Sequence, residues 1–210
     1  MRPAANDEYS AETFRRRAAN GGTAQDWRAY GDHALNRDIA DRLAGQRLRD
    51  AAVLVPLVDH GDRTGMLLTQ RTAAMRTHSG QIAFPGGAID PEDPSPEAAA
   101  MREALEEIGL ETPLVEPVGR LPHYLTMTGF RITPVLAVVP GDYALSLNRD
   151  EVDDAFEVPF DFLMNPANHV RDSRVWEGKE RQFYTMPYQD RYIWGVTAGI
   201  LRTLYERYYA

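Results

Sequence analysis

The sequence predicts an α/β domain built on a mixed β-sheet. Strand candidates stand on both sides of one sharply delimited helix, Ser95 to Gly109. The first two, Ala51–Val58 and Met66–Arg71, flank the turn cluster Asp59 to Gly65 and read as an antiparallel pair. The links between elements are short, and no internal repeat or long linker divides the 210 residues.

Residues 1–50 read as a polar helical extension packed on a domain formed by residues 51–210. Two helices are expected in the extension, Ala11–Ala19 and Ala34–Leu48, separated by Gly21 and Gly22. The domain opens with Ala51–Val58, the longest apolar run. Further strands are expected at Gln81–Phe84, which ends in a Pro85-Gly86-Gly87 turn, at Val115–Arg120 and at Phe130–Val139. In the last of these, Pro134 suits an edge or a bulge. Glu151–Val158 leads into a short segment, Phe160–Met164, and Tyr192–Tyr209 reads as an amphipathic closing helix.

Composition removes several classes. The absence of cysteine excludes disulfide scaffolds, thiolate nucleophiles and Cys-ligated metal sites, and suits a reducing cytoplasm. The Ala51–Val58 run is far short of the ~20 residues of a membrane helix, and the polar stretch from Asn6 to Ser10 shows no secretory signal. Twenty-three Lys and Arg against 31 Asp and Glu give a net charge of −8, which argues against non-specific nucleic-acid binding. No Ser-His-Asp arrangement, P-loop or dinucleotide fingerprint is present.

The chemistry concentrates on the central helix. Ser95 suits the N-cap, Pro96 the first helical position and Gly109 a left-handed terminator. With about 100° per residue and Ala98 at zero, Ala104, Ile108, Met101 and Leu105 fall between about 240° and 340°. Glu106, Glu103 and Glu107 fall at about 80°, 140° and 180°. The helix is thus expected to present one core face and one face of three carboxylates within a turn. At ~5 Å and an effective dielectric of ~20, each like-charge pair costs roughly 3 kcal/mol. A solvated acidic face is the structural reading of such a cluster. The chemical reading is a divalent cation bound by oxygen ligands, for which Mg²⁺ or Mn²⁺ is suited. Pro85-Gly86-Gly87 favours the second, since glycines admit close backbone approach. Asp90, Glu92 and Asp93 add carboxylates, and Arg102 suits a bidentate hold on one of them.

Gly87 to Leu110 resembles the signature of the Nudix hydrolases, Gly-x5-Glu-x7-Arg-Glu-U-x-Glu-Glu-x-Gly-U, where U is a bulky aliphatic residue. Arg102 to Leu110 fits the second half, with a small Ala104 at one U position. In the first half Asp93 stands for Glu, and eight residues separate it from Arg102. Leu67 to Thr72, then Arg76 to Gly87, resemble the additional signature of the coenzyme A pyrophosphatase branch of that family. Gly129 to Pro134, Glu151-Val152, Phe156 to Pro159 and Ile193 to Ala198 are similar to the same branch.

The resemblance implies an α/β/α sandwich with a strand–loop–helix–loop catalytic motif. It also implies hydrolysis of the diphosphate of coenzyme A or its acyl derivatives, with Mg²⁺ or Mn²⁺ as cofactor. Glu103 and Glu107 would be principal metal ligands, with Glu106 and the Gly87 carbonyl beside them. Glu106 or Glu151 would take the proton of the attacking water, with Arg102 in the catalytic cluster. Arg71, Arg76, His78, Gln81 and Phe130 are the candidate substrate contacts. Tyr124 and Trp194 are also candidates to stack on adenine, against ordinary core packing, while His60 and His169 read as surface histidines. The expected partner is a small nucleotide-diphosphate substrate, with no nucleic acid or membrane; a homodimer is one open oligomeric state. The alternatives are the same chemistry on ADP-ribose, NADH or a nucleoside triphosphate, and a non-catalytic nucleotide-sensing module.

Overall fold

The computed structural model describes residues 7–20, 30–36, 38, 39, 43, 45–73 and 80–210. At its centre lie two parallel strands, β1 (Arg49–Asp59) and β7 (Phe130–Pro140), in register from Arg49 opposite Phe130 to Asp59 opposite Pro140. Parallel strands covered on both faces read as continuous apolar runs, which is the origin of the Ala51–Val58 run. β2 (Thr64–Arg71) returns antiparallel to β1, with Leu57 opposite Met66. β3 (Ile82–Ala83) and β8 (Val152–Pro159) both pair with β2. β4 (Gly86–Ala88) pairs with β1, and β5 (Glu116–Arg120) and β6 (Tyr124–Leu125) pair with β7. The mixed sheet is as expected.

Helices cover both faces. On one, α3 (Pro96–Ile108) buries Ala100, Ala104 and Ile108 against Leu54, Leu67 and Val135. On the other, Phe14 of α1 (Ala11–Asn20) and Leu201 and Leu204 of α5 (Gly195–Tyr208) share a core with Val55, Leu68 and Leu136. The short α4 (Phe160–Leu163) adds Phe160, whose ring meets that of Phe14 edge-on at 5.7 Å. The layers form an α/β/α sandwich.

Several expectations need correction. The closing helix begins at Gly195, because Tyr192–Trp194 belong to β11 (Arg191–Trp194), pairing with β10 (Lys179–Tyr188). β9 (Val170–Trp176) completes a second, three-stranded sheet that is not among the expected elements. All seven β9 residues are exposed, so no burial pattern marks the strand. Gly86 and Gly87 form β4 rather than a turn, drawn into register opposite Val53 and Ala52. In the extension, α2 spans Asp32–Leu35, Asp38, Ile39 and Leu43 are also helical, and Gly45–Leu48 are not; residues 37, 40–42 and 44 of the expected Ala34–Leu48 helix lie outside the described residues. Pro134 sits in a central strand, not at an edge. Its carbonyl accepts Leu121 N–H at 3.0 Å, where the neighbour passes from β5 to β6, so its missing donor falls at that break. His169 is buried, its Nε2 2.7 Å from the Leu163 carbonyl, and His60 Nε2 lies 2.8 Å from Glu157 Oε2. Both satisfy local acceptors rather than facing water.

Asp32 ties α2 to the sheet: its carboxylate accepts the Tyr124 hydroxyl at 2.9 Å and Met127 N–H at 2.8 Å. Burial pushes this carboxyl up, against the pull of those two donors. Tyr124→Phe removes one donor and should cost about 1–3 kcal/mol in urea unfolding with an unchanged slope. An unaltered midpoint would contradict this role for the hydroxyl.

Candidate functional site

The site is built around α3. Ser95 Oγ accepts Ala98 N–H at 3.2 Å, Pro96 occupies the first turn, and Gly109 closes the helix at φ +67°. The last carbonyls also find partners, because Ser146 N–H donates to Ile108 O and Asn148 N–H to Glu107 O, each at 2.9 Å. Those contacts lay the 146–151 turn along the helix end. Glu151 N–H then donates to Asn148 O at 3.0 Å, and the Glu151 carbonyl accepts Thr72 N–H at 2.9 Å. Thus a residue about forty positions downstream enters the cluster.

The buried face of α3 differs from the expected one. Leu105, placed on the core side, is 46% exposed, whereas Glu107 is 3% exposed. Ala99, Ala100, Ala104, Glu107 and Ile108 are the buried residues, an arc of about 100° to 280° on the same wheel. Glu107 lies near the middle of that arc, with Glu103 on its flank and Glu106 outside it. The three carboxylates therefore grade from interior to solvent.

Their environments follow that gradient. Glu107 accepts Gly86 N–H at 3.2 Å and pairs with Arg71 at 3.4 Å. Burial pushes its carboxyl up to about 7; Gly86 and Arg71 oppose this, and the charges of Glu103 and Glu151 add to it. Glu103 is also raised, chiefly by burial, against a 2.9 Å contact from Arg102. The Glu106 side chain is 56% exposed and receives Arg102 at 3.1 Å.

Arg102 joins the cluster to its loop. Nε and one terminal nitrogen grip Asp93 at 3.1 and 2.9 Å, the Ala88 carbonyl lies 3.3 Å away, and Asp90 at 3.5 Å. That grip holds the Asp93 carboxyl below the usual range. Asp93, which replaces the motif's Glu, thus fixes the arginine that spans Glu103 and Glu106. Two glycines set the clearance. Gly86 has φ +153°, and a Cβ there would fall 2.4 Å from Ala52 O; one on Gly87 would fall 2.6 Å from the Glu103 carboxylate.

The structure brings Arg71, Gly87, Arg102, Glu103, Glu106 and Glu107 together, with Glu151 adding its charge. Arg76 and His78 lie outside the described residues. The Gln81 carbonyl accepts Arg71 N–H at 2.9 Å. Phe130 packs with the core on the sheet face opposite α3 and carries the Arg49 guanidinium at 4.0 Å. Tyr124 is buried on Asp32, and Trp194 stands in the second sheet, 5.3 Å from Phe183.

Among the described residues, no three carboxylates or histidines converge on one point as they stand. Arg102 draws Glu103 and Glu106 to itself, while Gly86 and Arg71 hold Glu107. The donor set still suits a hard divalent cation: all its donors are oxygens, and burial pushes two of the carboxyls toward their neutral form, a shift that a bound dication would oppose. A folded-state carboxyl raised from 4.5 to about 7 destabilises the fold increasingly as pH rises through that window. In chelator at pH 8, Glu107→Gln should therefore raise Tm by about 2–6 °C, with the gain vanishing near pH 4. A lower Tm at pH 8 would contradict the burial of an unbalanced charge.

Comparison with known proteins places this arrangement. The family described as the NUDIX domain matches residues 48–177, from β1 through β9. A protein of Enterobacter sp. (strain 638) named "Uncharacterized Nudix hydrolase NudL" is 39% identical over 170 residues, covering 81% of this chain and 85% of that one. Its namesake in Escherichia coli (strain K12) is 40% identical over 156 residues, covering 74% and 81%. A crystal structure of a C. elegans Ap4A hydrolase binary complex aligns at TM-score 0.44 and 20% identity, covering 53% of this chain and 80% of that one. The family match spans the strand pair, the glycine approach and the whole of α3, and this chain belongs to the Nudix hydrolase family.

Proposed function

We propose that the chain cleaves the diphosphate of coenzyme A or its acyl derivatives, releasing 4′-phosphopantetheine (or its acyl form) and adenosine 3′,5′-bisphosphate. As a Nudix hydrolase it acts on a diphosphate bond of a nucleoside diphosphate derivative, and hydrolases of this family generally use divalent ions such as Mg²⁺ or Mn²⁺. The choice of coenzyme A is supported by the additional signature in Leu67–Thr72 and Arg76–Gly87. The observation that carries it is the 3.4 Å pair between Arg71 and Glu107. The first arginine of that signature stands at the most buried carboxylate, where a diphosphate lying over α3 would meet it.

In this reading Glu103 and Glu107, with Glu106 and the Gly87 carbonyl, hold the ion. When bound, the ion stabilises charge on the phosphate oxygens and lowers the pKa of a coordinated water. Arg102, fixed by Asp93, keeps Glu103 and Glu106 oriented on one side of the helix. Arg71 neutralises a non-bridging oxygen, while Arg76, His78 and Gln81 contact the remainder of the substrate. Water attacks one phosphorus, the bridging P–O bond breaks, the other phosphate leaves with the bond pair, and Glu106 or Glu151 accepts the proton.

Hydrolysis of coenzyme A in ¹⁸O-labelled water, read by mass spectrometry, should label one of the two named products. Glu103→Gln and Glu107→Gln should each lower kcat by about 10²–10³ in a folded protein. A kcat/KM at least about tenfold higher for ADP-ribose, NADH or a nucleoside triphosphate would reassign the substrate. Tight nucleotide binding without phosphate products would favour a sensing module.

A further inference from the structure

An unassigned concavity borders the second sheet. A cleft of about 550 Å³ opens between it and the Gly80–Ile82 segment, lined by Gln70, Arg174, Trp176, Arg191, Tyr192 and Trp194 among others. Its volume lies within the range of small-molecule sites. Alternation and register put Arg174 and Trp176 of β9 on the same sheet face as Phe183 of β10 and Trp194 of β11. Trp176 is 56% exposed, and no ring or cation faces it among the described residues. Arg174 lies 5.5 Å over the Trp194 ring and makes no ion pair among the described residues. Arg191, by contrast, is engaged by Gln70 at 2.5 Å and Asp154 at 2.6 Å, and Asp172 accepts the Tyr192 hydroxyl at 2.9 Å. While the carboxylate in its lining, Asp190, lies 3.8 Å from Arg191, the cleft offers an open indole face beside a guanidinium without an ion pair among the described residues. That pairing suits an aromatic base carrying an anionic group.

The cleft borders the candidate active site. Gly80 N–H donates to Arg71 O at 3.1 Å and Arg71 N–H to Gln81 O at 2.9 Å, so its Gly80–Gln81 wall is bonded to the strand end whose side chain reaches Glu107. We infer that this cleft binds the nucleoside end of the substrate, the base stacking on Trp176 and the ribose 3′-phosphate pairing with Arg174. This rests on the diphosphatase reading for the substrate's identity, but the cleft itself is tested independently.

Binding of adenosine 3′,5′-bisphosphate is measured by calorimetry in chelator. Arg174→Ala and Trp176→Ala should each weaken it about tenfold. For adenosine 5′-monophosphate, which lacks the second phosphate, Arg174→Ala should make less than about a twofold difference while Trp176→Ala keeps its effect. Val175→Ala, on the opposite face of β9 and 70% exposed, serves as the control and should bind both as the unsubstituted protein does. With coenzyme A and metal, the two cleft variants should raise KM about tenfold and hold kcat within about twofold. Unchanged affinity in both variants, or equal weakening of the two nucleotides by Arg174→Ala, would overturn the assignment. An unsubstituted protein that cleaves no diphosphate would defeat the diphosphatase reading alone, and the calorimetry would then decide the cleft.

Discussion

A carboxylate in the middle of the buried arc of α3 organises this molecule. Glu107 replaces an apolar residue where the helix meets the sheet, with one backbone N–H and one arginine as its nearest compensation. Burying a carboxylate so sparingly paired is unfavourable in isolation. The surrounding elements are arranged to tolerate it: β4 brings Gly86 N–H, β2 brings Arg71, and the 146–151 turn closes the helix end. The pair β1 and β7 holds all of them on one rigid platform.

Arg102 has a complementary task. Its bidentate contact with Asp93 anchors it to the loop before the helix, leaving its other terminal nitrogen to bridge Glu103 and Glu106. Without a divalent ion, this guanidinium is the positive charge nearest those two side chains. In the proposed reading, a cation arriving at the cluster would compete with Arg102 for Glu103 but not for Asp93. The arginine can therefore stay in place while the carboxylates turn. Pre-organisation of this sort depends on the loop geometry as much as on the helix.

The helix that carries the candidate site is legible because its signals are local. Ser95, Pro96 and Gly109 delimit α3 by capping rules, and the three glutamates share a helical turn. The strand pair β1–β2 was equally legible from its turn cluster. The inward rotation of α3 was not, because Ala104 and Leu105 give similar apolar signals while only packing decides which is covered. Long-range placements were also hidden: the approach of Glu151 depends on Asn148 meeting the helix end, and Asp93's grip on Arg102 depends on the loop path. The β9–β10 hairpin carries no burial signal in its first strand, which is solvated on both faces. Pro134 suits an edge or a bulge by sequence, yet it lies in a central strand with its missing donor at a break in the neighbouring one.

The central claim is that the graded carboxylates of α3 form a divalent-cation site. The most direct measurement is anomalous diffraction from crystals soaked in a manganese salt. The account predicts a Mn²⁺ peak within bonding distance of both Glu103 and Glu107. Ordered density for those side chains with no peak between them, Arg102 still spanning Glu103 and Glu106, would contradict it.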